Sequence, residues 1–214
     1  DANQSLYFTE DGKTLNVGGD AVVNGAWILG EASNNTVQVA VGGDVTIGET
    51  GTVNINDGYL SVDGAYSNSG NVHITDEAIL YLGGTVTLLG TCSTTSGLVW
   101  YNGTSSQEVA GGTYYNLAIS NGNKILKGDV SVLNDFTFKS SGVDESSRLA
   151  LVGYDIRIAN DVYGYHVPET GDDGERYFVT NGNGSVIRPV VAGEDMVYIV
   201  GVYDAGASEY LYSS

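Results

Sequence analysis

The chain has few of the residues that would cross-link it or interrupt its backbone pairing. Its 214 residues include one cysteine, Cys92, and two prolines, Pro168 and Pro189. An intrachain disulfide cannot form, so a disulfide-stapled scaffold is excluded. The scarcity of proline excludes a proline-rich linker and is typical of strands whose N–H groups all need acceptors. No apolar run approaches the ~18 residues of a membrane-spanning helix, so we expect no membrane insertion.

Basic residues are also scarce, at eight against 26 acidic residues, and the formal net charge is −18. Residues 1–123 contain Lys13 as their only Lys or Arg, against twelve acids. Nucleic acids are bound by clustered cations, so we expect no nucleic-acid partner. The acidic surface is interpreted as a means of keeping the chain in solution. With 42% hydrophobic residues, the chain is nevertheless apolar enough to fold around a core.

A glycine-rich turn, often followed by an acid, recurs about every 22 residues. The first strand residues after the turns are assigned to positions 21, 45, 65, 86, 130 and 156, with a weak copy at 107–110 filling the widest gap. Apolar residues alternate within the copies, as in Val45-Thr46-Ile47 and Val130-Ser131-Val132. This period of two indicates short strands with one buried face, separated by Gly and Asx corners.

These repeats predict an all-β fold, a parallel β-solenoid (β-helix) of about seven coils over residues 1–160. An antiparallel sandwich also has short alternating strands, but it does not explain a similar turn at near-constant spacing. Residues 161–214 contain seven of the fifteen tyrosines and both prolines. We expect this segment to form a Tyr-rich C-terminal cap or a junction to a following module, because a solenoid end is an open sheet edge.

Two stretches carry a family resemblance. Residues 97–138 include Gly-Gly-Thr-Tyr-Tyr-Asn-Leu-Ala-Ile at 111–119 and Lys-Ile-Leu-Lys-Gly-Asp-Val-Ser-Val at 124–132. These stretches and residues 177–190 resemble the β-solenoid repeat regions of large secreted, adhesin-like surface proteins of Bacteroidetes-type bacteria. The resemblance implies secretion or display at the bacterial cell surface, with an adhesin-like or scaffolding role. The sequence begins at Asp1 without an initiator Met, so we expect it to be part of a longer protein. The resemblance transfers no catalytic residue.

The acidic turn at 171–175 is the densest candidate for a metal. Asp172, Asp173 and Glu175 offer three oxygen-bearing side chains, so they form a candidate calcium site, with a solvated turn as the alternative. The two histidines, His73 and His166, have no histidine or cysteine pair nearby, which argues against zinc. No other cofactor is expected, and no catalytic residue is assigned.

Together with the family resemblance, the repeats predict a non-catalytic extracellular module, either an adhesin-like surface or a structural stalk. The expected partners are host or environmental glycans or surface proteins. The aromatic residues Trp27, Tyr66, Tyr81 and Trp100 are candidates for stacking on sugars, with core or corner positions as the alternative.

The alternative function is that of a carbohydrate-active β-helix enzyme. A polysaccharide lyase would need a cation beside its substrate, for which Arg148, Arg157, Arg176 and Arg188 are candidates. A glycosidase would need two carboxylates brought together. The candidate carboxylate groups are Asp76/Glu77, Asp144/Glu145, Asp172/Asp173 with Glu175, and Glu194/Asp195.

Overall fold

The computed structural model describes residues 5–31, 36–75, 77–140, 146–166, 175–180, 183–189, 200–204 and 209–213. Over these ranges the regular structure consists of strands, numbered here in chain order, and no helix suited to crossing a membrane is present. The strands belong to two compact units. The first comprises residues 1–103 and 114–116, and the second comprises 104–113 and 117–214.

The first unit contains three parallel sheets, each named here by its first strand. The β1 sheet has the order β1 (Ser5–Phe8), β4 (Ala26–Leu29), β7 (Thr52–Ile55), β10 (Asn71–Ile74) and β13 (Thr91–Cys92). The β2 sheet contains β2 (Thr14–Val17), β5 (Gln38–Val41), β8 (Tyr59–Val62), β11 (Ile79–Leu82) and β14 (Leu98–Tyr101). The β3 sheet contains β3 (Ala21–Val23), β6 (Val45–Ile47), β9 (Tyr66–Asn68) and β12 (Val86–Leu88).

The second unit repeats this arrangement, apart from Tyr114 of β16 and Asn116 of β17, which belong to the first unit. The β15 sheet contains β15 (Gln107–Val109), β18 (Lys124–Leu126), β21 (Ser147–Ala150), β24 (Arg176–Val179), β26 (Val200–Asp204) and β27 (Glu209–Ser213). The β16 sheet contains β16 (Gly112–Tyr114), β19 (Val130–Val132), β22 (Ile156–Ile158) and β25 (Val186–Ile187). The remaining stack contains β17 (Asn116–Ile119), β20 (Phe136–Phe138) and β23 (Val162–Tyr163).

Within each unit, strands pair in parallel with their counterparts one coil further along the chain, which is the pattern of a β-solenoid. Val45, for example, is the Cα partner of both Ala21 and Tyr66. The all-β parallel solenoid predicted from the repeats is therefore confirmed, with about eight turns rather than seven. Parallel pairing continues beyond residue 160, since β23 pairs with β20 and β24 pairs with β21. The Tyr-rich cap stays a prediction, although β26 and β27 close their sheet as an antiparallel pair.

The core of each unit follows the alternation of the sequence. In β6, Val45 and Ile47 are buried whereas Thr46 is exposed, and β22 repeats the pattern with Ile156, Arg157 and Ile158. Apolar residues therefore form rows inside the coils, one residue per turn, and polar residues form rows outside.

The aspartates at the corners tie successive coils together. Asp20 Oδ1 accepts a hydrogen bond from the backbone N–H of Asp44 at 2.9 Å, and Asp44 Oδ1 accepts one from Ala65 N–H at 2.7 Å. Gly43 is required at this corner because a Cβ there would overlap Asp20 Oδ1 and the backbone of Gly19. The Gly-Gly-Asp motif is therefore a coil-to-coil clamp, which we call the corner clamp.

The same clamp recurs in the second unit. Asp129 Oδ1 accepts from Asp155 N–H at 2.9 Å, and Asp155 Oδ1 accepts from Ser185 N–H at 3.0 Å. These contacts link residues 26 and 30 positions apart in the sequence. The turn aspartates thus hold backbone donors in addition to solvating the surface.

Two details of the predicted repeat are wrong. The degenerate copy was assigned a first strand residue at 65, but the partner of Val45 is Tyr66. The weak copy at 107–110 falls in the β15 sheet, and the strand before β19 in its own sheet is β16. A slip of one residue exchanges the two faces of a strand. A strand beginning at 65 would place Tyr66 outside, but Tyr66 is 1% exposed and points into the core, the alternative that the sequence left open for it.

Candidate functional site

An open-sided depression lies on the outer surface of the β16 sheet and has a volume of about 250 Å³. We call it the Arg157 depression. Three strands and the two clamp corners beside them contribute to it, and its lining residues are Gly112, Thr113, Asp129, Val130, Ser131, Asp155 and Arg157.

The alternation of the strands places the polar side chains of the depression outside. Val130 and Val132 are buried, so Ser131 between them faces outward. Ser131 is the Cα partner of Arg157, which is the exposed middle residue of β22. Thr113 is the middle residue of β16 and is also exposed. Two hydroxyls and a guanidinium from neighbouring coils therefore share one surface.

The two aspartates of the depression are clamp residues with one carboxylate oxygen engaged. In each, Oδ1 accepts a backbone N–H from the following coil, and Oδ2 accepts no hydrogen bond from the described residues. The depression thus combines anionic acceptors with the hydroxyls of Thr113 and Ser131 and with the five N–H donors of Arg157. Such a surface suits a ligand that both donates and accepts hydrogen bonds.

Of the four arginines considered from the sequence, three have partners elsewhere. Arg148 donates from Nε to Glu175 Oε2 at 2.8 Å and also from Nη2 to the same oxygen. Arg176 Nε donates to Gly164 O at 2.8 Å. Arg188 Nη2 donates to Asn160 O at 3.0 Å and to Asp161 Oδ1 at 3.2 Å. The Arg157 side chain makes no hydrogen bond or ion pair with the described residues, although its backbone pairs within the β16 sheet.

The candidate calcium turn is only partly within the described residues. Asp172 and Asp173 lie outside them, whereas Glu175 is described and accepts hydrogen bonds from Arg148 and from the Tyr177 hydroxyl, the latter at 3.3 Å. In the described part of the chain, no three His, Cys, Asp or Glu side chains are close enough to hold a metal ion. The calcium site at Asp172, Asp173 and Glu175 stays a prediction, with Glu175 already held by a cation.

The carboxylate pairs proposed for a glycosidase also stay untested predictions. Each has at least one member outside the described residues, the affected positions being Asp76, Asp144, Glu145, Asp172, Asp173, Glu194 and Asp195. His73 is described and is exposed on β10, opposite Asn54, as its place between Val72 and Ile74 predicts. His166 forms a backbone bridge with Arg176.

The four aromatic candidates divide into two groups. Tyr66 is in the core, and Trp27 is in an inward row with Leu6 and Val53 as its Cα partners. Tyr81 and Trp100 are adjacent on the outer face of the β2 sheet. That face also includes Tyr59, which the sequence had not indicated.

The outer aromatic rings pack on one another. The centroids of Tyr81 and Trp100 are 5.0 Å apart with a tilt of 39°, and those of Tyr59 and Tyr81 are 5.4 Å apart and nearly perpendicular. Two rings lying in the same plane could not bring their centroids this close. Each ring therefore packs part of its face or edge against its neighbour, and that part is covered. This aromatic row stabilises the face of the β2 sheet and leaves less ring area for a sugar.

Cys92 lies inside the first unit and is 7% exposed. Burial raises the pKa of the Cys92 thiol to about 12, so it is protonated at neutral pH and unsuited to nucleophilic or metal chemistry. Nearby in the same unit, the hydroxyls of Tyr101 and Tyr114 are hydrogen-bonded to each other, with 2.9 Å between their oxygens. Burial also raises the pKa of Tyr114. These groups form a polar part of the core.

A second depression, of about 440 Å³, lies near the beginning of the first unit. Its lining residues are Ser5, Leu6, Val22, Val23, Asn24, Gly25 and Trp27. This lining has no ionisable side chain, so its chemistry is limited to packing and a few neutral hydrogen bonds.

No family model, curated protein or solved structure matches the chain. The resemblance to Bacteroidetes-type surface repeats therefore stays a prediction.

Proposed function

We propose that this chain is a non-catalytic module of a secreted or cell-surface protein, with an adhesin-like or structural stalk role. The observation that carries the proposal is the construction of the coils. Within each unit, in-register backbone pairing stacks successive coils and corner clamps join several of them, so the fold repeats outward rows of side chains.

The distribution of charge supports this proposal. The ten outward positions of the β2 sheet in the first unit carry no charged residue, although the chain has a formal net charge of −18. Uncharged strand faces between acidic corners suit contact with neutral partners such as glycans. The outward residues of this sheet are Thr14, Asn16, Gln38, Ala40, Tyr59, Ser61, Ile79, Tyr81, Leu98 and Trp100.

The second candidate function is that of a carbohydrate-active enzyme, and the Arg157 depression is the observation that favours it. Asp129, Asp155 and Arg157 bring carboxylates and a cation to one concave surface. Both carboxylates, however, already accept backbone N–H groups from the next coil. A structural role for these two acids favours the non-catalytic function.

The two functions are distinguished by incubating the purified chain with a panel of immobilised and soluble polysaccharides, including polygalacturonate and alginate, with calcium or with EDTA. Retention of the chain on at least one polysaccharide, without new reducing ends or unsaturated sugars, is the expected result. Formation of either product would overturn the non-catalytic proposal. The calcium and EDTA arms also test the turn at Asp172, Asp173 and Glu175.

A further inference from the structure

The Arg157 depression has the chemistry of a small recognition site. The side chains of Thr113, Ser131 and Arg157 make no hydrogen bond or ion pair with one another or with other described residues, and Arg157 is exposed. The lining contains no aromatic ring and no large apolar side chain other than the buried Val130. A ligand here must therefore be recognised through hydrogen bonds.

The local charge narrows the class of ligand. Asp129 and Asp155 outnumber Arg157, so the lining has a net charge of about −1 at neutral pH, inside a chain that is itself strongly acidic. Phosphate or uronate groups would meet Arg157 only beside two carboxylates. A cationic ligand would be attracted by the two carboxylates but would have to lie beside the Arg157 guanidinium. A neutral ligand avoids both penalties.

The arrangement of hydrogen-bond donors and acceptors narrows the class of ligand further. The carboxylates accept from hydroxyl groups, Arg157 donates to hydroxyl oxygens, and the hydroxyls of Thr113 and Ser131 do either. A volume of about 250 Å³ is smaller than the pocket of a typical drug-sized ligand, so it suits a single ring or a short segment. A saccharide ring with adjacent hydroxyls has these properties.

We infer that the Arg157 depression binds a neutral saccharide unit, with Asp129 and Asp155 accepting from sugar hydroxyls and Arg157 donating to them. This inference rests on the proposed adhesin-like function and gives it a location and a ligand class. It also separates recognition from the aromatic row of Tyr59, Tyr81 and Trp100, whose rings pack on one another.

The inference is tested by NMR titration of the isotopically labelled chain. The probes are neutral oligosaccharides of glucose, galactose and mannose, with oligogalacturonate as the charged comparison. At least one neutral oligosaccharide is expected to shift the amide signals of Thr113, Ser131 and Arg157 in a saturable way. No saturable shift with any neutral probe, shifts centred on another sheet, or binding of oligogalacturonate alone would each overturn the inference.

Three variants assign the effect to the depression. Arg157→Gln should weaken binding by about tenfold, because it removes a charged donor from an exposed position without disturbing the core. Asp129→Asn keeps an oxygen to accept the N–H of Asp155 but replaces the second acceptor by a donor, so it should also weaken binding. Lys127→Gln is the control, because it removes one positive charge from the same unit while its partner is Glu108 outside the depression.

Equal weakening by Lys127→Gln and Arg157→Gln would contradict a specific role for Arg157. The outcome is also separable from that of the proposed function. Cleavage of a polysaccharide overturns the non-catalytic role, whereas binding that is unaffected by Arg157→Gln and Asp129→Asn leaves that role intact and overturns this site alone.

Discussion

Val152 has a φ of +51°, a left-handed backbone conformation that β-branched residues rarely adopt. It occupies a tight turn with Gly153, closed by a hydrogen bond from Tyr154 N–H to Leu151 O at 3.0 Å. Its side chain is 57% exposed, so little buried area compensates for the strain. At a different corner, between β17 and β18, Asn121 adopts the same conformation with φ +59°.

Replacing Val152 by asparagine should therefore stabilise the protein. We expect Val152→Asn to raise the free energy of unfolding by about 1 kcal/mol, because asparagine tolerates positive φ and Asn-Gly is favoured in such turns. The reciprocal variant, Asn121→Val, should lower it by a similar amount. Both changes are measured by urea denaturation, and a destabilising Val152→Asn would show that the turn is not strained.

Lys124 is a cation inside the second unit, with no exposed surface. Its Nζ donates to Asn121 O at 3.0 Å, and its Cα partner is Gln107, which is also buried. Burial lowers the pKa of Lys124 to about 8, because the charged ammonium loses solvation. Keeping this group protonated at neutral pH therefore reduces the stability of the folded state.

Lys124 gives stability a specific dependence on pH. Between about pH 8 and 10.5 the unfolded chain holds a proton on Lys124 that the folded chain has lost, so the free energy of unfolding contributed by this residue rises with pH. The wild type should gain roughly 2 kcal/mol relative to Lys124→Met between pH 8 and pH 10. Denaturation of both proteins at each pH measures the difference, which cancels titration of the tyrosines. A constant difference across this range would contradict the lowered pKa.

At the scale of the structural element, variants of the corner clamp distinguish the contribution of its hydrogen bond to stability from the contribution of its negative charge. Asp44→Ala and Asp44→Asn remove the same negative charge, but asparagine retains an oxygen for the N–H of Ala65. Asp44→Ala should lower the free energy of unfolding by about 1 kcal/mol, and Asp44→Asn by much less. Hydrogen exchange at the Ala65 amide should accelerate in the alanine variant. Equal losses in the two variants would assign the effect to charge.

Strand positions were predictable because two sequence signals agree on them. The alternation of apolar residues marks each strand, and the Gly-Gly-Asp corners mark where strands begin. Val45, Ile47, Val130 and Val132 are buried as the pattern predicts. Register within a degenerate copy was not predictable, because Ala65 and Tyr66 are both acceptable as a first strand residue and only pairing with Val45 selects between them.

Polar residues inside the coils were also missed, since their partners are distant in sequence. Asn68 is fully buried, and its side chain bonds to Leu89 O at 3.0 Å and to Gly70 N–H at 2.9 Å. These bonds satisfy backbone groups at a corner where an apolar residue would leave them unpaired. In the sequence, nothing distinguishes Asn68 from the other asparagines near glycine-rich turns, so its burial could not be predicted.

At the scale of the whole molecule, the repeated coils imply that the chain can still fold when one complete coil is deleted. Deleting only part of a coil should prevent folding. Deleting residues 45–65 connects Asp44 directly to Tyr66, which is the Cα partner of Val45. This variant should remain folded with β-type circular dichroism and unfold at lower denaturant, because one set of coil interfaces is lost.

The matched control is a deletion of residues 45–55, which removes about half a coil. It shifts the following strands out of register with the preceding ones and should abolish cooperative unfolding. Comparable stability of the two deletion variants would contradict the one-coil repeat.

The candidate site was only partly visible in the sequence. Arg157 was one of four candidate arginines, and its proximity to Asp129 and Ser131 depends on stacking of residues about 26 positions apart. The outward position of each residue follows from alternation. Which of the four arginines lacks a partner depends on tertiary contacts such as the pair between Arg148 and Glu175.

The corner clamp also has a direction along the chain, which bears on how the protein assembles during synthesis. In all four clamps the acceptor aspartate precedes the backbone donor, by 24, 21, 26 and 30 residues. Each clamped coil therefore emerges from the ribosome with its acceptor in place before the donor of the next coil is made. A growing chain can add coils in order from the N-terminal side. At any moment only the last completed coil then has strands with unpaired backbone groups.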